Sequence, residues 1–121
     1  MSELAARKCK PCEGGTAPLS PAQAEALLTQ VSGAWVLTDN AHAIRREFGF
    51  RDFYRTMSFV NALAHVANIE YHHPDLEVGY NHCLVRYNTH AIDGLSDNDF
   101  ICAAKVDSLL ATTETSCELK K

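Results

Sequence analysis

Four of the six histidines in this 121-residue chain fall within 19 positions, at His72, His73, His82 and His90. Imidazole has a pKa near ~6.5, so it can give or take a proton at neutral pH. A positioned general acid or base is worth roughly 10² to 10⁴ in rate. The same side chains also bind metal: three histidines plus a water make a catalytic zinc site. No HxH, HxxxH or HExxH spacing occurs, which weakens the metal reading without separating the two chemistries. Histidines that only decorate loops are the third reading. His72-His73-Pro74 carries the sharpest local signal, because proline pushes the residue before it towards an extended backbone. Adjacent extended side chains point to opposite sides, so one of the pair can face a pocket. His90 lies just past a predicted strand, where scaffolds present reactive groups. His82 alternates with Cys83 on a strand and reads as a surface side chain. His42 and His65 have no neighbours that suggest chemistry. Asp99 reads equally as an orienting carboxylate or as a helix cap, and Glu70 as a solvated charge at a helix end.

The cysteines are Cys9, Cys12, Cys83, Cys102 and Cys117. Cys9-Lys10-Pro11-Cys12 is a CxxC, but no second CxxC or nearby CxxH completes a tetrahedral zinc site, and no βαβ pattern surrounds it. Plain reduced thiols in a loose N-terminal arm are the expectation. There is no glycine-rich phosphate loop, Walker motif or GxSxG, so nucleotide and esterase chemistry lack support.

Several elements must position these groups. Residues 1–19 read as a flexible arm, broken by Pro11, Gly14, Gly15 and Pro18. Ser20-Pro21-Ala22-Gln23 has the composition of a capping box with proline at the first helical position. Ala24, Leu27, Leu28 and Val31 give that helix its apolar stripe, and Ser32-Gly33 ends it. Ala34–Leu37 and His42–Phe50 are predicted strands of a hairpin, with Ile44, Arg46, Phe48 and Phe50 on one face. From Arg51 to about Glu70 the pattern is helical: Phe53, Met57, Val60, Ala64 and Ala67 trace one face, widened by Phe59 and Leu63. Glu77–Tyr80 and His82–Thr89 form another strand pair or one bulged strand. Ser96-Asp97-Asn98-Asp99 caps a last helix to about Leu110. The order α-β-β-α-β-β-α implies an α+β fold, a four-stranded antiparallel sheet with helices packed on one face. A single domain over residues 20–112 and a frayed tail at 113–121 complete the expected organisation.

Composition narrows the function classes. Apolar residues make up 46% and charged residues 21%, as in ordinary globular domains. With 11 Lys+Arg against 15 Asp+Glu, the net charge of −4 disfavours binding to nucleic acid. No apolar run approaches the roughly 20 residues of a membrane span. The N-terminus has no apolar signal core, so a cytoplasmic location is expected.

Read together, His72-His73-Pro74, Tyr80, His90 and Asp99 form the pattern H-H-P-x5-Y-x9-H-x8-D. It resembles the signature of the pterin-4a-carbinolamine dehydratases (4a-hydroxytetrahydrobiopterin dehydratases). Flanking text agrees at Asp75-Leu76, Thr89-His90-Ala91 and Gly94-Leu95-Ser96, and the arm at Lys10–Gly15 is similar to bacterial members. The resemblance implies dehydration of a 4a-hydroxytetrahydropterin to the quinonoid dihydropterin, without cofactor or metal. It implies a homodimer or homotetramer, and functional coupling to an aromatic amino acid hydroxylase such as phenylalanine hydroxylase. By motif, His72 and His90 are the expected acid–base pair. His73 binds and positions the pterin and joins in proton transfer. Pro74, Thr89, Ala91, Ile92 and Asp99 complete the expected substrate site. Two positions depart from the family pattern: Asn68, where relatives often carry a charged residue or histidine, and Tyr71, often acidic. Some animal members also bind a transcription factor, which keeps a protein-binding module as the alternative, beside a histidine metal site.

Overall fold

In the computed structural model, residues 4–10, 17–38 and 40–115 are described. Cys12 and Cys117 lie outside the described residues. The first helix, α1 (Pro21–Leu28), begins as its sequence requires. The Ser20 hydroxyl accepts from the Gln23 N–H, and the Gln23 side chain accepts from the Ser20 N–H. It stops at Leu28, one turn short of the expected Ser32-Gly33 boundary. Two strands follow, β1 (Val36–Thr38) and β2 (Ala43–Gly49), then the long helix α2 (Phe53–Glu70). Strands β3 (Asp75–Val78) and β4 (His82–Tyr87) lead to the last helix, α3 (Asp97–Thr115), which runs past the expected end near Leu110. The four strands form one antiparallel sheet in the order β1-β2-β4-β3. The α+β architecture expected from the sequence is therefore the one observed.

The sheet has one buried face. Register places Ile44 opposite Tyr87, Arg46 opposite Val85 and Phe48 opposite Cys83. All but Arg46 are fully or almost fully buried, and the helices cover them. Arg46 interrupts the apolar stripe, and the fold resolves the conflict by pairing it. Its Nη1 donates to Asp107 Oδ1 at 2.8 Å, and its guanidinium lies 4.3 Å from the Phe48 ring centroid. Asp107 also accepts from the Trp35 indole N–H at 2.7 Å and from the Ser32 N–H at 2.9 Å. The ion pair with Asp107 offsets the cost of part-burying the Arg46 charge, although its Nε is buried without a hydrogen-bond partner among the described residues.

The third strand lies at Asp75–Val78, two residues before the expected Glu77–Tyr80, and two further expectations need correction. On α2 the buried stripe is Thr56, Phe59, Leu63 and Ala67, whereas Phe53 and Ala64 are exposed. Phe59 and Leu63 are the centre of the buried face and not its edge, because α3 and the sheet meet the helix about one residue round. Phe53 instead stacks on Tyr80 at the β3–β4 turn, with centroids 6.4 Å apart.

The second concerns the N-terminal segment. Far from being loose, residues 4–10 are docked. Leu4 is 1% exposed and belongs to the main core. The Ala5 carbonyl accepts from Lys105 Nζ at 2.8 Å. The Cys9 N–H donates to Glu70 Oε1 at 2.9 Å, and Lys10 exchanges two hydrogen bonds with the Asn98 side chain. Their cause is tertiary: the acceptors and donors stand on α2 and α3.

Candidate active site

The end of α2 sets the site. The N–H groups of Tyr71 and His72 both reach the Ala67 carbonyl, and Tyr71 takes the left-handed conformation (φ 55°, ψ 43°) usually left to glycine. That single turn reverses the chain and starts the extended run His72-His73-Pro74. The two imidazoles then diverge, as alternating extended side chains do. His72 turns inward, with 13% of its side chain exposed. His73 stays outward, 3.0 Å from Asn68 Oδ1 and edge-on to the Tyr71 ring.

His72 is held on two sides. Its Nε2 lies 2.7 Å from Asp99 Oδ1. Its ring is parallel to that of Tyr87 within 3°, with centroids 5.7 Å apart. Asp99 is fully buried, and its other oxygen accepts from the Thr89 hydroxyl at 2.8 Å and the Ser96 N–H at 3.0 Å. So Asp99 caps α3 and also orients a histidine; the two readings of this residue describe one carboxylate with two oxygens. The Thr89 hydroxyl also meets Ser96 Oγ at 2.8 Å.

His90 enters from the other wall. After β4, Thr89 pairs with Gly94 as an isolated bridge, and His90–Ile92 form one turn of 3₁₀ helix closed by Asp93 in the left-handed region. This lifts His90 to an exposed position at the rim. His72, His73, Thr89, His90 and Ala91 line one cleft of about 530 Å³. Three other nominated residues do not line it. Ile92 is buried beneath the 3₁₀ turn, Pro74 only directs the chain, and Asp99 sits behind His72. Tyr80 is also away from the cleft, stacked on Phe53. His82 is on the surface near Glu47, at 3.5 Å.

Nothing in the spacing pointed to the remaining wall. Cys9 and Lys10 from the docked N-terminal segment line it, with Ile69, Glu70, Tyr71, Asn88 and Asn98. Glu70 is not a solvated charge: its side chain is 6% exposed. Burial opposes its ionisation, but the Cys9 N–H, with Lys105 and Lys8, outweighs burial and holds its carboxyl below the usual range. The Tyr87 hydroxyl is buried, and burial with the neighbouring Cys102 thiol pushes it far up. Burial also raises the Cys83 thiol, to about 11. Among the described residues, no three His, Cys, Asp or Glu side chains converge as ligands for a metal ion. None of the described helices is long and apolar enough to cross a membrane.

An inward histidine backed by a buried carboxylate thus shares one cleft with a second histidine, beside an antiparallel sheet covered by helices. The sequence profile of the family described as pterin 4 alpha carbinolamine dehydratase matches residues 17–109. A protein of Nitrosomonas eutropha bearing that family's name is 61% identical over 110 residues, covering 91% of this chain and 96% of that one. One from Legionella pneumophila (strain Corby) is 54% identical over 109 residues, 90% of this chain and 96% of that one. The crystal structure of a transcriptional coactivator/pterin dehydratase from Brucella melitensis superposes with a TM-score of 0.72 at 28% identity, covering 76% of this chain and 97% of that one. The chain belongs to the pterin-4a-carbinolamine dehydratase family.

Proposed function

We propose that the cleft dehydrates a 4a-hydroxytetrahydropterin to the quinonoid dihydropterin and water. The observation that carries this reading is the convergence of His72, His73 and His90 on one cleft, in a chain of this family. Two proton movements are needed: the C4a hydroxyl must gain a proton to leave as water, and N5 must lose one. Two imidazoles on opposite walls suit one each. A carboxylate can only accept, so the His72 proton sits on Nε2, facing Asp99, and Nδ1 is the nitrogen left to exchange protons. Asp99 then fixes the tautomer and stabilises the imidazolium that forms. His90, exposed at the rim, serves as the partner acid or base. His73, whose ring is held by Asn68, binds the pterin edge and keeps a part in proton transfer. The quinonoid dihydropterin formed here rejoins the tetrahydropterin pool of an aromatic amino acid hydroxylase once a separate two-electron reduction has acted on it.

The test treats this protein with a chelator, removes the chelator, and compares treated and untreated samples in a coupled assay with a phenylalanine hydroxylase, following the carbinolamine by its ultraviolet absorbance. Faster decay in both arms supports metal-free dehydration. Acceleration lost on chelation moves the chemistry to a metal. No acceleration by folded protein removes the dehydratase reading and directs attention to protein partners.

A further inference from the structure

Cys9 and Cys102 are 93 positions apart in sequence, yet their sulfurs are 3.4 Å apart. The contact is built rather than incidental. Leu4 anchors the start of the segment in the core, and Lys105 of α3 holds the Ala5 carbonyl. The Cys9 N–H is fixed by Glu70. Lys10 is clamped at both its N–H and its carbonyl by Asn98. Asn98 and Cys102 are four residues apart on α3 and so share a face. The Cys9 sulfur also lies 3.7 Å from the Asn98 carbonyl. Main-chain clamps on either side therefore aim Cys9 at Cys102. The two sulfurs differ in access: Cys9 is part-exposed and lines the cleft, whereas Cys102 is fully buried.

We propose that Cys9 and Cys102 form a redox-modification site, at which a hydroperoxide converts the two thiols to a disulfide that ties the N-terminal wall of the cleft to α3. The accessible Cys9 sulfur attacks the peroxide. The O–O bond breaks, Cys9 becomes a sulfenic acid, and the remaining oxygen leaves as water or an alcohol. Cys102 then attacks the Cys9 sulfur. The S–S bond forms as the S–O bond breaks, and the hydroxyl departs with the Cys102 proton as water. Two sulfurs lose two electrons, and one peroxide gains them. The sulfurs close from 3.4 Å to about 2.05 Å. The hydrogen bond that its S–H donates to Cys9, together with burial, keeps the Cys102 thiol protonated, which makes it the second nucleophile and not the first. This site stands on its own geometry and does not depend on the pterin reaction.

The experiment treats the full, fully reduced chain with stoichiometric hydrogen peroxide, alkylates remaining thiols and maps the linkages by mass spectrometry of a non-reduced tryptic digest. The Lys10-Pro11 bond resists trypsin, so Cys9 and Cys12 share a peptide and a Cys12→Ser variant assigns the link. Most of the oxidised wild type should carry the peptide of Cys9 joined to that of Cys102, releasable by dithiothreitol, with the link kept in Cys12→Ser and lost in Cys9→Ser. Oxidation should also raise the Tm of wild type and Cys12→Ser, because the bond closes a loop of about 94 residues, and should not raise that of Cys9→Ser. A Cys9–Cys12 or Cys12–Cys102 link as the main product overturns the proposal. So does Cys9 oxidised further with Cys102 still free.

Discussion

The Nε2 of His72 lies 2.7 Å from the Oδ1 of Asp99, a fully buried carboxylate whose second oxygen is occupied by the Thr89 hydroxyl and the Ser96 N–H. One side chain thus joins the start of α3, the end of β4 and the turn after α2. Asp99→Asn keeps the shape and removes the charge. It should lower kcat of the dehydration by about 10² or more, with a smaller change in KM. His72→Ala and His90→Ala should each lower kcat by about 10² or more while the circular dichroism spectrum is kept. Near-wild-type turnover in any of these variants would remove that residue from the assigned role.

Tyr87 supports His72 by its ring and not by its hydroxyl, which faces the Cys102 side. Tyr87→Phe should therefore keep kcat close to wild type. Tyr87→Leu should lower it several-fold, because the imidazole loses its parallel neighbour. Steady-state kinetics over a pH series separates the two variants. Equal losses in both would show that the hydroxyl, not the stack, is what matters.

Glu70 gives the fold an acid-sensitive contact. Its carboxyl is depressed in the folded state, so its ionisation stabilises the fold above the unfolded-state pKa. That contribution is lost as pH falls through the folded value. Glu70→Gln should lower Tm at pH 7 and converge on wild type as pH falls below the usual glutamate range and through the depressed folded value. Thermal denaturation from pH 3 to 8 checks this, and an offset that stays constant across the range would count against it.

Leu4 tests whether the N-terminal segment belongs to the domain. A side chain 1% exposed in the main core leaves a cavity when truncated. Leu4→Ala should cost about 2–5 kcal/mol, read as a lower urea midpoint with an unchanged m-value. A loss below about 0.5 kcal/mol, the level of an ordinary surface substitution, would mean the segment is not part of the folding unit.

Local rules suffice for much of this protein. The capping box at Ser20–Gln23, the alternation in Ile44–Phe48 and Cys83–Tyr87, and the proline after His73 each act over a few residues. They are legible because helix and strand periods are properties of the backbone alone. The histidine pattern was legible because residue type and spacing are written in the chain itself, whatever surrounds them. Partners brought together from distant positions were not. Arg46 looked like a flaw in a strand until Asp107 and Trp35 met it. Glu70 looked like a solvated charge until Cys9 and Lys105 covered it. The rotation of the buried stripe on α2, from Phe53 and Met57 to Thr56 and Phe59, depended on how α3 and the sheet pack against it.

The sequence by itself determined the elements, their order, and which side chains are able to move protons. Only the tertiary structure decided which of them meet. It set His72 against Asp99 and Tyr87, put His90 on the same cleft, and made Cys9 and Lys10 one of its walls. The physical reason is that periodicity is written in neighbouring residues. A hydrogen bond between residues 27 positions apart, or a sulfur contact between residues 93 apart, exists only once the core has closed.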